Sequence, residues 1–126
     1  MTNHLHLVCQ TIEPFKLSDF VRDFKQHTAK AVLNCIWAEP ESRRSWILAA
    51  LREAGKYDNR ITNYKFWQEG CHPIQLHTNE MIDQRINYIH DNPVRSFIVG
   101  NPEDYLYSSA KNYASLGGVI EVEVVT

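Results

Sequence analysis

The beginning of the chain alternates between polar and apolar side chains. Residues 4–10 read His-Leu-His-Leu-Val-Cys-Gln, a pattern with a period close to two. Such alternation predicts a β-strand with two different faces, and it places His4 and His6 on the same face. Similar or shorter extended stretches predict three further strands, at residues 64–69, 73–76 and 119–125.

Three longer stretches have the apolar spacing of amphipathic helices, at about residues 18–36, 41–54 and 79–92. Ser18 is a suitable N-cap for the first helix, and Gly55 is a suitable end for the second. Pro93 predicts the end of the third helix, because the residue before a proline is driven out of the helical conformation. A last short helix is predicted at residues 108–114.

This irregular mixture of helices and strands predicts an α+β fold in a single domain spanning residues 1–126. The composition, 44% hydrophobic and 22% charged, is that of a globular protein. No apolar run is long enough for a membrane span, and no signal segment is recognisable. Three widely spaced cysteines favour reduced thiols and a cytoplasmic location: Cys9, Cys35 and Cys71.

The formal net charge of −2 does not indicate a nucleic-acid binder, but the charge is unevenly distributed. Residues 1–65 carry ten Lys/Arg and seven Asp/Glu, whereas the remainder carries three and eight. A mildly basic first half with aromatic side chains is compatible with binding a DNA strand.

His4 and His6 are the first candidates for chemistry. Two imidazoles on one face of a strand can together ligate a divalent metal and leave positions open for substrate oxygens. The alternative is coincidence, since a His-X-His triplet arises by chance in about one of four such chains with six histidines.

Tyr88 and Asn92 are the second pair. Their spacing of four residues places a phenol and a carboxamide on one helical face. A tyrosine hydroxyl can attack a phosphodiester, and a metal ligated in part by the amide oxygen would assist it. The alternative is that Tyr88 packs at the edge of a core and Asn92 merely ends the helix before Pro93. None of the other five tyrosines has an asparagine four residues later.

Several blocks of the chain resemble one family in the expected order. Residues 3–7, Asn-His-Leu-His-Leu, resemble the His-hydrophobe-His strand of the HUH nucleases. Residues 88–95, Tyr-Ile-His-Asp-Asn-Pro-Val-Arg, resemble the tyrosine helix of the REP-associated tyrosine transposases, which belong to the single-tyrosine, insertion-sequence type. Further blocks that resemble this group are residues 66–72, 102–105 and 107–113.

This resemblance implies a fold and an activity. The fold would be a ferredoxin-like (RRM-like) HUH nuclease domain, an antiparallel sheet with helices packed on it. His4, His6 and Asn92 would ligate Mg²⁺ or Mn²⁺, and Tyr88 would be the nucleophile. The implied function is a transposase that nicks and rejoins single-stranded DNA at hairpin, REP-like sequences through a 5′-phosphotyrosine intermediate. The partner would be single-stranded or hairpin DNA, with nucleoid association when bound, and the protein would be a monomer or homodimer.

Two departures from the family pattern qualify this resemblance. Family members carry a strand, a helix and a strand before the histidines, so the resemblance predicts a domain that is incomplete at its N-terminus. A misplaced start codon, a trimmed chain and a decaying gene copy are the explanations left open. In addition, Ser96-Phe97 stands where a small residue and glycine are common, which predicts an altered turn.

A weaker set of candidates would contact DNA directly. Trp67 could stack on an unpaired base, although an aromatic residue at such a position is more often part of a core. Five basic side chains could bind phosphates, with solvated surface charges as the alternative: Arg43, Arg44, Lys56, Arg60 and Lys65. His27 and His90 are predicted to be surface or packing residues.

Two other functions remain open on the sequence alone. One is a catalytically inactive, transposase-derived DNA-binding remnant. The other is an interaction module unrelated to DNA, in which the two histidines would lie far in space from Tyr88 and Asn92.

Overall fold

The computed structural model describes residues 3–125, and its regular elements are all helical. They are α1 (Leu17–Ala38), α2 (Arg44–Gly55), α3 (Asn79–Arg95), a 3₁₀ turn (Pro102–Asp104) and α4 (Ala110–Tyr113). None of these helices is both long and apolar enough to cross a membrane.

The predicted α+β class, with its ferredoxin-like antiparallel sheet, is wrong: no strand occurs between residues 3 and 125. Alternation describes which side chains could share a face, but a strand exists only when its backbone groups pair with a neighbour. Within the described part of the chain, no backbone–backbone hydrogen bond joins residues 4–10, 73–76 or 119–125 to another segment. Residues 64–69 make one such bond, from Lys65 N–H to the carbonyl of Leu51 at 2.9 Å, and it leads into a helix rather than a sheet.

The chain divides into two compact units. Unit 1 consists of Met1–Cys9 and Pro73–Thr126, and unit 2 of Gln10–His72. The third and fourth helices and the 3₁₀ turn lie in unit 1, whereas the first two helices lie in unit 2. That residues 1–126 form a single domain stays a prediction.

In unit 2, the first helix starts and ends close to its predicted bounds, but its cap differs. The N-cap residue is Lys16, which makes no side-chain capping bond, so Ser18 lies inside the helix. At the other end, the Arg44 guanidinium donates to the carbonyls of Ile36 and Glu39 at 2.7 and 2.6 Å. A helix leaves its last carbonyls without partners, and Arg44 satisfies this need at the end of α1.

An aromatic cluster occupies the middle of unit 2. The Phe24 ring lies 6.1 Å from that of Trp67, which in turn lies 5.4 Å from Phe66. The indole Nε1–H donates to the Thr28 hydroxyl at 3.1 Å, and this hydroxyl donates to the Phe24 carbonyl at 2.7 Å. The cluster therefore fixes the segment after α2 onto the face of α1 that carries Phe24 and Thr28.

Gly55 is the last residue of α2 and is buried, where the sequence predicted a residue just beyond the helix. A Cβ at this position would lie 2.8 Å from Cγ2 of Ile61 and 3.4 Å from the backbone nitrogen of Lys65. Close packing, rather than an unusual backbone conformation, thus requires glycine here.

We expect Gly55→Ala to lower the free energy of unfolding by about 1–2 kcal/mol. Overpacking a core costs about 1–3 kcal/mol, which outweighs the gain of about 1 kcal/mol in helix propensity. Urea unfolding measures the change. In an Ile61→Ala background the same substitution should be neutral or stabilising, and an equal loss in both backgrounds would contradict the steric explanation.

In unit 1, α3 begins as predicted and ends later than predicted. Thr78 is its N-cap, and the Thr78 hydroxyl accepts from the backbone N–H of Met81 at 3.2 Å. Pro93 lies inside the helix, which continues to Arg95 instead of ending at Asn92. A proline without an N–H is tolerated here, within the last turn, at the cost of one hydrogen bond to the carbonyl four residues earlier.

Phe97 occupies the turn that ends α3. Its N–H donates to the carbonyl of Val94 and that of Ile98 donates to the carbonyl of Pro93, both at 2.9 Å. This bond pair is a Schellman motif, whose central residue adopts the left-handed conformation that favours glycine. Phe97 adopts it with φ 55°, and its side chain is 96% exposed. At the turn predicted to be altered by Ser96-Phe97, phenylalanine therefore occupies the left-handed position that glycine usually takes.

Phe97→Gly should raise the free energy of unfolding by about 1 kcal/mol, because a Cβ strains this conformation and the exposed ring contributes little packing. Chemical denaturation measures the gain. Phe97→Ala is the matched control, since it keeps the Cβ; equal stabilities of the two variants would contradict the role assigned to the turn.

The end of unit 1 packs against α3 through a small polar and apolar core. The 3₁₀ turn contacts both α3 and α4. Three residues of this core are buried. Ile86 is 7% exposed, Ala110 is 5% exposed, and the polar His90 is 8% exposed. The predicted helix at residues 108–114 is present with shorter bounds.

Candidate functional site

The structure brings His6 close to Tyr88. Their ring centroids lie 5.8 Å apart with an interplanar angle of 78°, and both residues belong to unit 1. The Tyr88 side chain remains 42% exposed, and its hydroxyl makes no hydrogen bond to any residue in the range 3–125. A phenol held beside an imidazole and open to solvent is accessible to a substrate.

His4 lies next to His6, with ring centroids 4.9 Å apart at 87°. Its Nδ1–H donates to the side-chain oxygen of Asn3 at 2.8 Å. A hydrogen bond of this kind orients metal-binding histidines. The spacing of the histidines did not identify Asn3 as a partner of His4. Its position directly before His4 is the signal that could have done so.

Two buried polar atoms near this site have no partner among the described residues: Nε2 of His6 and Nδ2 of Asn92. Buried polar atoms are usually hydrogen-bonded to protein or to ordered water, so both side chains have unused hydrogen-bonding capacity. Burial lowers the pKa of His6, and the charge of His4 lowers it further. Both effects favour the neutral His6 ring, which can offer a lone pair.

His4, His6 and Asn92 carry nitrogen and oxygen donors of the kinds that divalent metals bind. Because amide oxygen and nitrogen are interchangeable by rotation, the unpartnered end of Asn92 can present its oxygen instead. No group of three or more His, Cys, Asp or Glu side chains suited to a metal occurs in the described range. That Asn92 is a third ligand beside His4 and His6, as the resemblance implies, stays a prediction.

The other histidines and the cysteines lie elsewhere. His90 Nε2 bonds the Ser109 hydroxyl at 2.9 Å, and its ring contacts that of Tyr113 at 5.0 Å. Burial lowers the pKa of His90, which favours the neutral, packed ring. This agrees with the predicted packing role. All three cysteines are free and exposed.

The five basic DNA-binding candidates lie in unit 2, and each has an intramolecular partner. Arg43 pairs with Glu41 at 3.3 Å and Lys56 with Glu53 at 3.7 Å, while Arg44 caps α1. The guanidinium of Arg60 binds Asp58 and Glu69, and Lys65 binds Asp58 at 3.3 Å. Hydrogen bonds from Arg60 hold the pKa of Asp58 well below its usual range, so this carboxylate stays charged.

Trp67 is likewise used internally, through its contacts with Phe24 and its hydrogen bond to Thr28. Base stacking requires a free aromatic face. These contacts match the alternative that Trp67 is a core aromatic of unit 2. DNA contacts by Trp67 and the basic residues stay predictions.

A cleft of about 290 Å³ adjoins Tyr88, lined by Met81, Gln84, Arg85 and Tyr88 itself. The first three were not among the candidates from the sequence. Their spacing of three, four and seven residues along α3 is the signal that could have identified them, since it places them on the face of Tyr88.

Comparison of the chain with models of protein families, with curated proteins and with solved structures finds no match. The candidate site therefore depends on the geometry of unit 1 and on the resemblance in the sequence.

Proposed function

We propose that this protein nicks and rejoins single-stranded DNA, as a tyrosine transposase or an enzyme derived from one. The observation that carries the proposal is the approach of His6 to Tyr88, 5.8 Å between ring centroids, in a unit where buried His6 and Asn92 atoms have no partner. The resemblance of residues 3–7 and 88–95 to the REP-associated tyrosine transposases gives the chemistry that such a group would perform.

In the proposed first step, the Tyr88 hydroxyl oxygen attacks the phosphorus of a phosphodiester. The new bond is from Tyr88 to the 5′-phosphate, and the bond from phosphorus to the 3′-oxygen breaks. The phenolic proton is released to solvent, and the leaving 3′-oxygen takes a proton to become a hydroxyl. In the second step, a 3′-hydroxyl attacks the phosphotyrosine, which joins the strand and restores Tyr88.

His4, His6 and Asn92 would hold Mg²⁺ or Mn²⁺, which when bound neutralises charge on the phosphoryl oxygens. Two nitrogen donors suit Mn²⁺ better than Mg²⁺. The hydrogen bond to Asn3 would orient the ring of His4, and burial lowers the pKa of His6, which favours its uncharged form. An uncharged imidazole can bind the cation without first losing a proton.

The proposal is tested by incubating the protein with a panel of hairpin oligonucleotides in Mn²⁺ and looking for a covalent product on a denaturing gel. We expect an adduct carrying the 5′ end of the cleaved strand at tyrosine. Hairpin binding without any adduct, with either metal, would indicate the inactive DNA-binding remnant instead. Absence of both binding and adduct would overturn the proposal.

A further inference from the structure

The cleft beside Tyr88 contains one cationic side chain, Arg85. Four residues of α3 line this cleft, and Arg85 precedes Tyr88 by three positions on the same helical face. The two side chains consequently open into one space of about 290 Å³, which can hold a phosphate and part of a nucleotide.

Arg85 makes no ion pair within residues 3–125. It differs in this respect from the basic residues of unit 2, such as Arg43 and Arg60, which bind carboxylates. Acidic neighbours are available in sequence, at Glu80 and Asp83, yet neither is within ion-pair distance.

Unit 1 is acidic, so few positive charges are available near Tyr88 besides the Arg85 guanidinium. Between residues 73 and 125 the sequence has seven acidic side chains and only three basic ones, Arg85, Arg95 and Lys111. Such a unit repels a DNA backbone overall, so holding a nucleotide at Tyr88 requires local positive charge from a bound cation or a basic side chain. Arg85 is the cationic residue in the cleft that Tyr88 lines.

We propose that Arg85 binds the non-bridging oxygens of the phosphate that Tyr88 attacks. This inference rests on the proposed function and adds a residue to it. A guanidinium presents paired N–H donors that match a phosphate, and it remains charged at every relevant pH. Gln84 and Met81 line the rest of the cleft.

The test compares wild type with Arg85→Ala, Arg85→Lys and Arg95→Ala, using the hairpin oligonucleotide that gives the highest adduct yield, or binds most tightly if none reacts. The rate of adduct formation in Mn²⁺ is measured together with equilibrium binding at several salt concentrations. Arg95→Ala is the matched control, because it removes the same charge from the last turn of the same helix. Circular dichroism checks that each variant is folded.

We expect Arg85→Ala to slow adduct formation about 100-fold or more, the usual effect of removing a donor that stabilises developing charge. The slope of log affinity against log salt should fall by about 0.7, the loss of one phosphate contact on a single strand. Arg85→Lys should be intermediate, and Arg95→Ala should match wild type.

Equal adduct rates for wild type and Arg85→Ala would overturn the inference and leave the proposed function intact. If wild type forms no adduct, the proposed function fails, and binding alone decides on Arg85. A reduced salt slope in Arg85→Ala alone would then support a phosphate contact, whereas unchanged affinity and slope would overturn it.

Discussion

Tyr88→Phe is expected to abolish the covalent protein–DNA product, with a loss of at least about 1,000-fold. The substitution removes only the attacking oxygen. This hydroxyl makes no hydrogen bond to the described residues, and the ring is 42% exposed, so the fold should be unaffected. Hairpin affinity should change by less than about twofold, because binding depends on phosphate contacts and not on the nucleophile.

Tyr107→Phe is the matched control for this experiment. Tyr107 belongs to the same unit, is 76% exposed, and packs its ring against Tyr105 without need of the hydroxyl. It should form the adduct at the wild-type rate. An undiminished adduct in Tyr88→Phe would show that another residue is the nucleophile.

The second large effect is expected at His6, where His6→Ala should weaken Mn²⁺ binding by at least about tenfold. Even residues that only orient metal ligands typically contribute factors of 10–100. Because Nε2 of His6 is buried without a partner, its removal should cost the metal-free protein little beyond the contacts of the ring with His4 and Tyr88. A ligand role thus predicts a nearly unchanged melting temperature without metal and a smaller rise on adding Mn²⁺.

His27→Ala controls for unspecific binding by surface histidines, since His27 is exposed on α1 in unit 2. Calorimetric titration of both variants with Mn²⁺ gives the comparison. If His6→Ala melted at a lower temperature without metal yet bound Mn²⁺ as wild type does, His6 would be a packing residue.

The helices were largely predictable from the sequence, whereas the sheet was not. Helical spacing is a local property, and backbone bonds within a helix need no distant partner. The first residues of α3 followed from the sequence for this reason, and its end did not, because the last turn accommodates Pro93. Strand prediction at residues 4–10 failed because alternation carries no information about whether a neighbouring strand exists to pair with.

For the site, spacing identified residues that share a local face but not what surrounds them. The approach of His6 to Tyr88 joins segments more than 80 residues apart, and only the resemblance suggested it. Conversely, the partners of Arg44 and Arg60 depend on contacts within unit 2 that no motif encodes. Charge alone therefore did not show that these basic side chains have partners within the protein.

Paramagnetic broadening by Mn²⁺ tests most directly whether His6, Tyr88 and Asn92 surround one cation. In NMR spectra of the labelled protein, substoichiometric Mn²⁺ should broaden the side-chain signals of these three residues together, while those of His27 stay sharp. Excess Mg²⁺ should reverse the effect. Broadening of the histidines with sharp Tyr88 and Asn92 signals, or no selective broadening at all, would contradict a shared metal site.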